Sequence, residues 1–253
     1  MTPSRFSPVF GPKPLIGMLH LAGGEDCSSY EKKFSRKLTR VMEELAIYEE
    51  EGLQGALFEN YHGSVSDVHT ALMALKGIRS SLQLGVNILP NQMGLAMQLA
   101  HEYGLSFVQV DYVAGRYARA PSDEAYYHDL SRWREEFPHI FVLGGVWPKY
   151  YTPLPGSILE EELKEGMQRA DAIVVTGTGT GMETPLEKIR QFRQVLGDDY
   201  PLVVGAGLTA KNVKGQMGVA DGGIVGSAFK IGGQTWEPVE RDLVRAFVAA
   251  KKG

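Results

Sequence analysis

Leu15-Ile16-Gly17-Met18-Leu19-His20-Leu21 is an apolar run broken near its end by one histidine, and the next such run, Gly55-Ala56-Leu57-Phe58-Glu59-Asn60, closes on an acid and an amide. Between them Phe34, Leu38, Val41, Leu45 and Tyr48 recur at spacings of four, three, four and three, which marks one face of a helix that Gly52 stops. Strand, helix, strand, with the strands apolar on both faces, is the unit of a parallel sheet covered by helices.

Working outward, the unit repeats to the end of the chain. Further strands are predicted at Leu84–Leu89, Phe107–Tyr112, Phe141–Trp147, Ala172–Thr176, Leu202–Gly205 and Gly223–Gly226, which makes eight. Asn91 is read as the cap of a helix carrying Leu95, Leu99 and Tyr103 and ending at Gly104. Ser157 with Glu160, and Thr184-Pro185 with Glu187, read as capping boxes, and Thr209 as the cap of the seventh helix. The last helix is expected from about Val239 through Leu243, Val244, Phe247 and Val248. Eight such units predict an α/β fold: a single-domain (β/α)8 TIM barrel with a closed parallel sheet, spanning residues 1–253. An open doubly wound sheet is the competitor. It would have fewer strands and often a Gly-x-Gly-x-x-Gly turn, which His20-Leu21-Ala22-Gly23-Gly24 lacks.

Composition agrees with a globular barrel: 253 residues, 43% hydrophobic, 22% charged, 30 glycines. The net charge of -4 and the absence of a Lys/Arg-dense stripe argue against a nucleic-acid surface. The nearest candidate, Lys32, Lys33, Arg36, Lys37 and Arg40, is read as a solvated helix face. No apolar run reaches the ~18 residues of a membrane span, and Met1 to Pro14 holds no secretory apolar stretch. Cys27, the single cysteine, makes no internal disulfide. A cytoplasmic protein is expected, and symmetric association of barrels makes a homo-oligomer the expected state.

Polar residues gather where strands end. His20, Glu59 with Asn60, Asn87 and Asp111 close the first four, Lys149 follows the fifth, Thr176 and Thr178 the sixth, Ser227 and Lys230 the eighth. A charge inside a strand buried on both sides is costly unless the strand is emerging into a site, so this asymmetry places chemistry on the C-terminal face. Strand parity puts Gln109 with Asp111, Met18 with His20, and Gly85 with Asn87 on inward faces, and leaves Glu59 and Asn60 undecided. Each residue alone is better read as a strand-end cap or ion-pair partner. Together, in several strands, they suggest a site.

Glycine supplies a second signal in Thr176-Gly177-Thr178-Gly179-Thr180-Gly181, Gly205-Ala206-Gly207 and Gly226-Ser227. Amides of small residues at helix starts can form an anion nest, and phosphate-binding barrels build one after strands seven and eight. The expected ligand is therefore a small phosphorylated compound held by Gly177, Thr178, Gly205, Gly207, Gly226 and Ser227. The plainer reading is that these glycines only permit tight turns. Glu59 or Asp111 is expected as a base, Lys149 as a stabiliser of developing negative charge and His20 as an acid or hydrogen-bond donor. Asn60, Asn87, Gln109, Trp147, Thr176 and Lys230 are the expected substrate contacts. Trp147 could equally be plain packing, and Tyr112, Tyr117, Tyr126, Tyr127, Trp133 and Phe137 line a stacking wall or bury a helix. Pro148 to Gly156, with three prolines, Tyr150 and Tyr151, is read as a semi-rigid lid. The six histidines are scattered, with His69, His101 and His128 read as helix-surface residues, so neither a metal nor another cofactor is expected.

These segments resemble the BtpA family. Lys13-Pro14-Leu15-Ile16-Gly17-Met18-Leu19-His20-Leu21 is similar to its opening "KPVIGMVHL", Phe58-Glu59-Asn60-Tyr61 to "VENF/Y", and Gly85-Val86-Asn87-Ile88-Leu89 to "GVNVL". Ala172-Ile173-Val174-Val175-Thr176-Gly177 with Thr180-Gly181 resembles "AVIVSGxxTG". Asp221-Gly222-Gly223-Ile224-Val225-Gly226-Ser227 with Lys230, then Trp236-Glu237-Pro238-Val239, resembles "DGxIVGTxxK" and "WNPVD". The resemblance implies a ribulose-phosphate-binding barrel of the phosphoribosylanthranilate isomerase-like kind. It brings no settled reaction: the founding branch is linked to photosystem I accumulation and another to sugar uptake and a nucleosidase role.

The functional expectation is thus an acid/base enzyme, of isomerase, lyase or nucleosidase type, on a phosphorylated sugar or nucleotide. The alternative is a non-catalytic assembly factor for a membrane complex such as a photosystem, peripherally associated, with an exposed apolar patch near Met93 and Met97 as its partner surface. Departures fall in the loops. The family's "PPLPG" is replaced by Ala22-Gly23-Gly24-Glu25-Asp26, and its Asp after "ENFG" is missing from Tyr61-His62-Gly63-Ser64. "NDxxA" becomes Asn91-Gln92-Met93, "IRVN" becomes Val108-Gln109-Val110-Asp111 and "VKH" becomes Pro148-Lys149-Tyr150. Phosphoribosylanthranilate isomerase chemistry would need a cysteine base ending the first strand, where this chain has His20, with Cys27 in the loop beyond.

Overall fold

Eight strands pair in parallel, each with its sequence neighbour, and β8 returns to β1 to close a barrel. The computed structural model describes residues 6–22, 28–77 and 79–252. The loop readings on Gly23, Gly24, Glu25, Asp26 and Cys27 lie outside them. The strands are β1 (Leu15–Leu19), β2 (Gly55–Glu59), β3 (Gln83–Asn87), β4 (Phe107–Val110), β5 (Phe141–Gly145), β6 (Ala172–Val175), β7 (Leu202–Val204) and β8 (Gly222–Val225). Each of the eight predicted runs overlaps one, with β3 and β8 starting one residue earlier than predicted. The regular strands end one or two residues short of the prediction because those last residues leave the sheet for the loops at the C-terminal end.

Helices α2 (Tyr30–Glu50), α3 (Val65–Leu75), α4 (Met93–Tyr103), α5 (Glu124–Glu136), α6 (Leu159–Arg169), α7 (Leu186–Leu196), α8 (Val213–Met217) and α9 (Arg241–Lys252) follow the strands. Ser29 caps α2 by accepting from the Lys32 amide, and Val41 and Tyr48 of the predicted face are buried. The Tyr48 hydroxyl donates to the Met18 carbonyl at 2.9 Å, and the ring lies where a Cβ on Gly17 would collide with it. Trp133 and Phe137 stack on one another and pack α5 onto the barrel side, so those aromatics bury a helix. His69, His101 and His128 are exposed on their helices, as expected.

Several local readings need correction. Asn91 adopts a left-handed φ of 50° and is not a cap; its side chain bonds to Tyr126, and Gln92 precedes α4. Neither Ser157 nor Thr184 caps its helix: α6 starts after Ile158 and α7 after Pro185, both without a side-chain cap. The Thr184 hydroxyl instead donates to the Ala206 carbonyl at 2.9 Å. Asn212, not Thr209, precedes α8, and the last helix begins at Arg241. Lys37 leaves the solvated face to meet Asp67 at 3.1 Å, both buried. Met93 and Met97 are buried, at 5% and 0% exposure, so the expected exposed patch does not exist there.

One element went unread. Helix α1 (Phe6–Phe10) inserts Phe6 and Phe10 into the N-terminal end of the barrel, against Phe107 and Phe141. With Ile16, Leu57, Leu143, Val174, Val203 and Ile224 they form a dry inner core separate from the larger one between strands and helices. The barrel is therefore solid at this end.

Candidate active site

Above that core the inward residues change character. On β4 the step from Phe107 to Gln109 to Asp111 moves two residues at a time along one face, from aromatic floor to amide to carboxylate. At the C-terminal end this face opens into a cavity of about 110 Å³. His20, Glu59, Asn87, Gln109, Asp111, Lys149 and Thr176 all line it, as do Gly205, Gly207, Gly226 and Ser227. The structure thus brings together eleven of the expected residues, drawn from all eight βα units.

Sheet register explains the central contact. Glu59 and Asn87 are direct neighbours on β2 and β3, so their side chains share the inner face, and Asn87 Nδ2 donates to Glu59 Oε1 at 2.8 Å. The same nitrogen lies 3.5 Å from Asp111 Oδ1, placing one amide between two carboxylates. Tyr151 donates its hydroxyl to Asp111 Oδ2 at 2.9 Å. The close approach of this part of β4 to β5 requires Gly145, where a Cβ would lie 1.9 Å from the Asp111 carbonyl oxygen. His20 Nε2 is 3.8 Å from Glu59 Oε2.

Burial sets the protonation states. Desolvation raises the Glu59 carboxyl to about 7, with Asp111 adding repulsion while Lys149 and the Asn87 hydrogen bond oppose. Asp111 is raised as well, mainly by burial, against the hydrogen bonds from Tyr151 and Asn87. Burial holds the His20 imidazole neutral, well below its ordinary value, and the positive charges of Lys230, His62 and Lys149 push the same way. The ring is therefore a hydrogen-bonding group near neutral pH rather than a cationic acid.

A cluster spans the mouth. Lys149 Nζ donates to Thr180 Oγ1 at 3.0 Å, and the hydroxyls of Tyr150 and Tyr61 lie 3.1 and 3.3 Å from the same oxygen. The Thr180 amide donates to the Tyr150 hydroxyl at 2.8 Å, and the Lys149 amide to Thr176 Oγ1 at 2.7 Å. Three loops, after β2, β5 and β6, thus meet at one threonine. Opposite the carboxylates, Gly207 has a left-handed φ of 70°, and a Cβ there would lie 2.0 Å from the Met182 carbonyl. Only glycine lets the loop after β7 close onto the loop after β6.

Other expected contacts lie elsewhere. Asn60 fastens the ends of β2 and β3, donating to the Leu89 carbonyl at 3.1 Å and accepting from its amide at 2.7 Å. Trp147 turns away at a left-handed φ of 48°; its indole donates to Glu162 at 2.5 Å and its ring packs among the outer helices. Lys230 is sequestered outside the barrel, 3.5 Å from Glu44 and 3.2 Å from the Glu237 carbonyl. Gly177 packs against the backbone of Met182 and Glu183, and Thr178 is exposed beside the Met182 sulfur. None of these five lines the cavity. Tyr61 and Thr180 were not among the expected contacts, and Tyr151 was expected only as part of a lid. Tyr61 adjoins Asn60 and Tyr151 lies two residues past Lys149, and that adjacency was the available signal. Among the described residues no three His, Cys, Asp or Glu are grouped to hold a metal ion. No helix among them is long and apolar enough to cross a membrane.

The BtpA family profile matches residues 11–253. An uncharacterised protein of Pyrococcus abyssi is 30% identical, over 95% of this chain and 96% of its own. The Photosystem I biogenesis protein BtpA of Synechocystis is 26% identical, over 94% of this chain and 87% of its own. Among solved structures, the phosphoribosyl anthranilate isomerase from Thermococcus kodakaraensis superposes with a TM-score of 0.60 at 16% identity, covering 94% of this chain and 98% of that one. That likeness concerns the fold.

Proposed function

The chain belongs to the BtpA family, and on that premise we propose that it is an enzyme performing acid/base chemistry on a small phosphorylated sugar or nucleotide bound in the C-terminal cavity. The observation that carries this reading is a pair of carboxylates, Glu59 buried and Asp111 half-buried, flanking the single amide of Asn87 in the same cavity as the glycine loops after β7 and β8.

Each part of the site has a role in that reading. Glu59, raised to about 7, can take up and return a proton near neutral pH, which is what a general base or acid requires. Asn87 holds its carboxylate toward the cavity, and Tyr151 does the same for Asp111, the second proton carrier. The Lys149 ammonium stabilises negative charge developing on the substrate during proton removal. His20, neutral, donates or accepts a hydrogen bond without adding charge. The phosphate group is assigned to the loops of Gly205, Gly207, Gly226 and Ser227, where barrels of this architecture commonly bind one. The Thermococcus barrel is named for a phosphoribosyl compound, which agrees with such a ligand here.

The test is a thermal-shift screen against inorganic phosphate, ribose 5-phosphate and nucleoside monophosphates. A ligand at about one hundred times its Kd stabilises the fold by roughly 2.7 kcal/mol, a shift of several degrees. A shift with at least one phosphorylated compound is expected. No shift with any of them overturns the reading and favours a non-catalytic assembly role, to which the name of the Synechocystis relative points.

A further inference from the structure

The segment between β8 and α9 is fastened from outside the barrel. It leaves the cavity at Gly226 and Ser227, makes the single helical turn Ser227–Phe229 and reaches α9 at Arg241. Its base is stitched shut: Lys230 and Val239 form an antiparallel bridge, and the Glu240 amide donates to the Phe229 carbonyl at 2.8 Å. Residues 231–238 form a lobe beyond that base, every one of them exposed or half-buried. Apolar burial therefore contributes little to holding the lobe.

Three ionic side chains hold it instead. The Lys230 ammonium is fully buried, 3.5 Å from Glu44 Oε1, and donates to the Glu237 carbonyl at 3.2 Å. The same Glu44 oxygen accepts from the Val239 amide at 3.1 Å and from Arg40 Nε at 2.9 Å. The Arg40 guanidinium also donates to the Trp236 carbonyl at 2.7 Å and to the Glu237 carbonyl. Two residues of α2 thus grip the segment at Lys230, Trp236, Glu237 and Val239. Desolvation offsets much of the attraction in such a buried ionic group, so its contribution is to position more than to folding energy. The inner edge of the lobe meets the cavity wall. Thr235 Oγ1 lies 2.8 Å from His62 Nε2, and the Thr235 backbone is a hydrogen-bond partner of the His20 ring. His62 stands edge-on to Tyr61 with ring centroids 4.9 Å apart, and Tyr61 and His20 both line the cavity.

We propose that Arg40, Glu44 and Lys230 are positioning residues of this cavity: they hold the lobe so that Thr235 fixes the His20 and His62 rings, and His62 in turn the ring of Tyr61. This rests on the reading of the cavity as the binding site and extends it to side chains on the outer side of the barrel, which act on the site without lining it.

NMR of the unliganded protein tests the assignment. In wild type the backbone amides of residues 231–237 should be as rigid as those of α9, and His20 and His62 should each give one sharp set of ring signals. Lys230→Met leaves Arg40 and Glu44 as a neutral pair, so the barrel should still fold while the lobe amides become mobile and both sets of ring signals broaden. Should that variant not fold, Thr235→Val decides, because it leaves the ionic group intact and cuts only the last link. There the lobe should stay rigid and the His62 signals broaden, and Thr235→Ser, which keeps the hydroxyl, should restore them. Titration with ribose 5-phosphate reads the effect on the site: Thr235→Val should bind about fivefold more weakly than wild type, and Thr235→Ser equally well. A Lys230→Met protein that melts lower yet keeps a rigid lobe and wild-type ring signals marks a merely structural group and overturns the assignment. So does a Thr235→Val protein with unchanged His62 signals, or with unchanged affinity where wild type binds. Failure of wild type to bind any phosphorylated compound removes the functional reading alone, and the ring signals then still decide whether the lobe positions the wall.

Discussion

The two ends of the barrel are made from the same eight strands and do opposite things. At the N-terminal end Phe6 and Phe10 of α1 fill the interior against Phe107 and Phe141. At the C-terminal end, two and four residues further along β4, the same face presents Gln109 and Asp111 to an open cavity. Apolar burial is favourable without further conditions, whereas buried carboxylates cost stability unless something compensates. The difference implies a division of labour: one end carries folding energy, and the other is held in a costly arrangement by it. Residues at the first end should change melting with little effect on chemistry, and residues at the second should do the reverse.

The largest contrast is expected at Glu59. Glu59→Gln keeps the shape and the contact with Asn87 but removes the proton carrier, and should cut turnover of any compound identified by the thermal screen by about a thousandfold with affinity within a fewfold. Steady-state kinetics beside titration would break the division if affinity and turnover fell together. Next comes the opposite end. Phe10, 3% exposed and in contact with three other rings, should cost about 3–5 kcal/mol on replacement by alanine, lowering the melting temperature by roughly 10 °C. Ligand affinity at 25 °C should be unchanged, and a Phe10→Ala variant that melts normally but binds poorly would show that the ends are not separable.

The smallest effect is a pH dependence. The folded-state carboxyl of Glu59 titrates near 7 rather than at its ordinary 4.5, so the native protein holds this proton where the unfolded chain has released it. Stability must therefore fall as pH rises from about 4.5 to about 7, by up to roughly 3 kcal/mol, and level off above. Glu59→Gln removes this term, so its melting temperature should gain on wild type across that window and keep a constant lead at higher pH. The raised Asp111 carboxyl acts in the same direction and survives in the variant. A lead that is the same at pH 4.5 and pH 8 would mean that Glu59 is not held in the protonated form by burial.

Legibility in the sequence followed the strands and stopped where they stop. Along β3 and β4 alternation fixes which residues face inward, so Asn87, Gln109 and, one residue past β4, Asp111 were placed from parity alone. Parity still holds for the first residue past a strand, as at His20 and Asp111, and fails further on. Trp147 follows β5 by two residues yet turns outward through a left-handed backbone, and Tyr151, further along the same loop, comes back to reach Asp111. Lys230, beyond the single helical turn Ser227–Phe229, points out of the barrel to Glu44. Helix α1 escaped because two phenylalanines four apart over five residues give too little periodicity to distinguish a helix from a loop. The capping readings failed for a related reason: a hydroxyl before a helix has other acceptors, and Thr184 found the Ala206 carbonyl.

The plug at the N-terminal end also bears on the order in which the chain can assemble. Helix α1 precedes every strand, yet the socket for Phe6 includes Gly222, where even a methyl group would collide with its ring. That socket exists only once β8 has zipped onto β1, through Leu15 with Gly223 and Ile16 with Ile224. During synthesis this segment, made before any of the strands, must therefore wait, its aromatic rings unsheltered, until β8 has emerged. Seating it is a late event that locks a ring already closed.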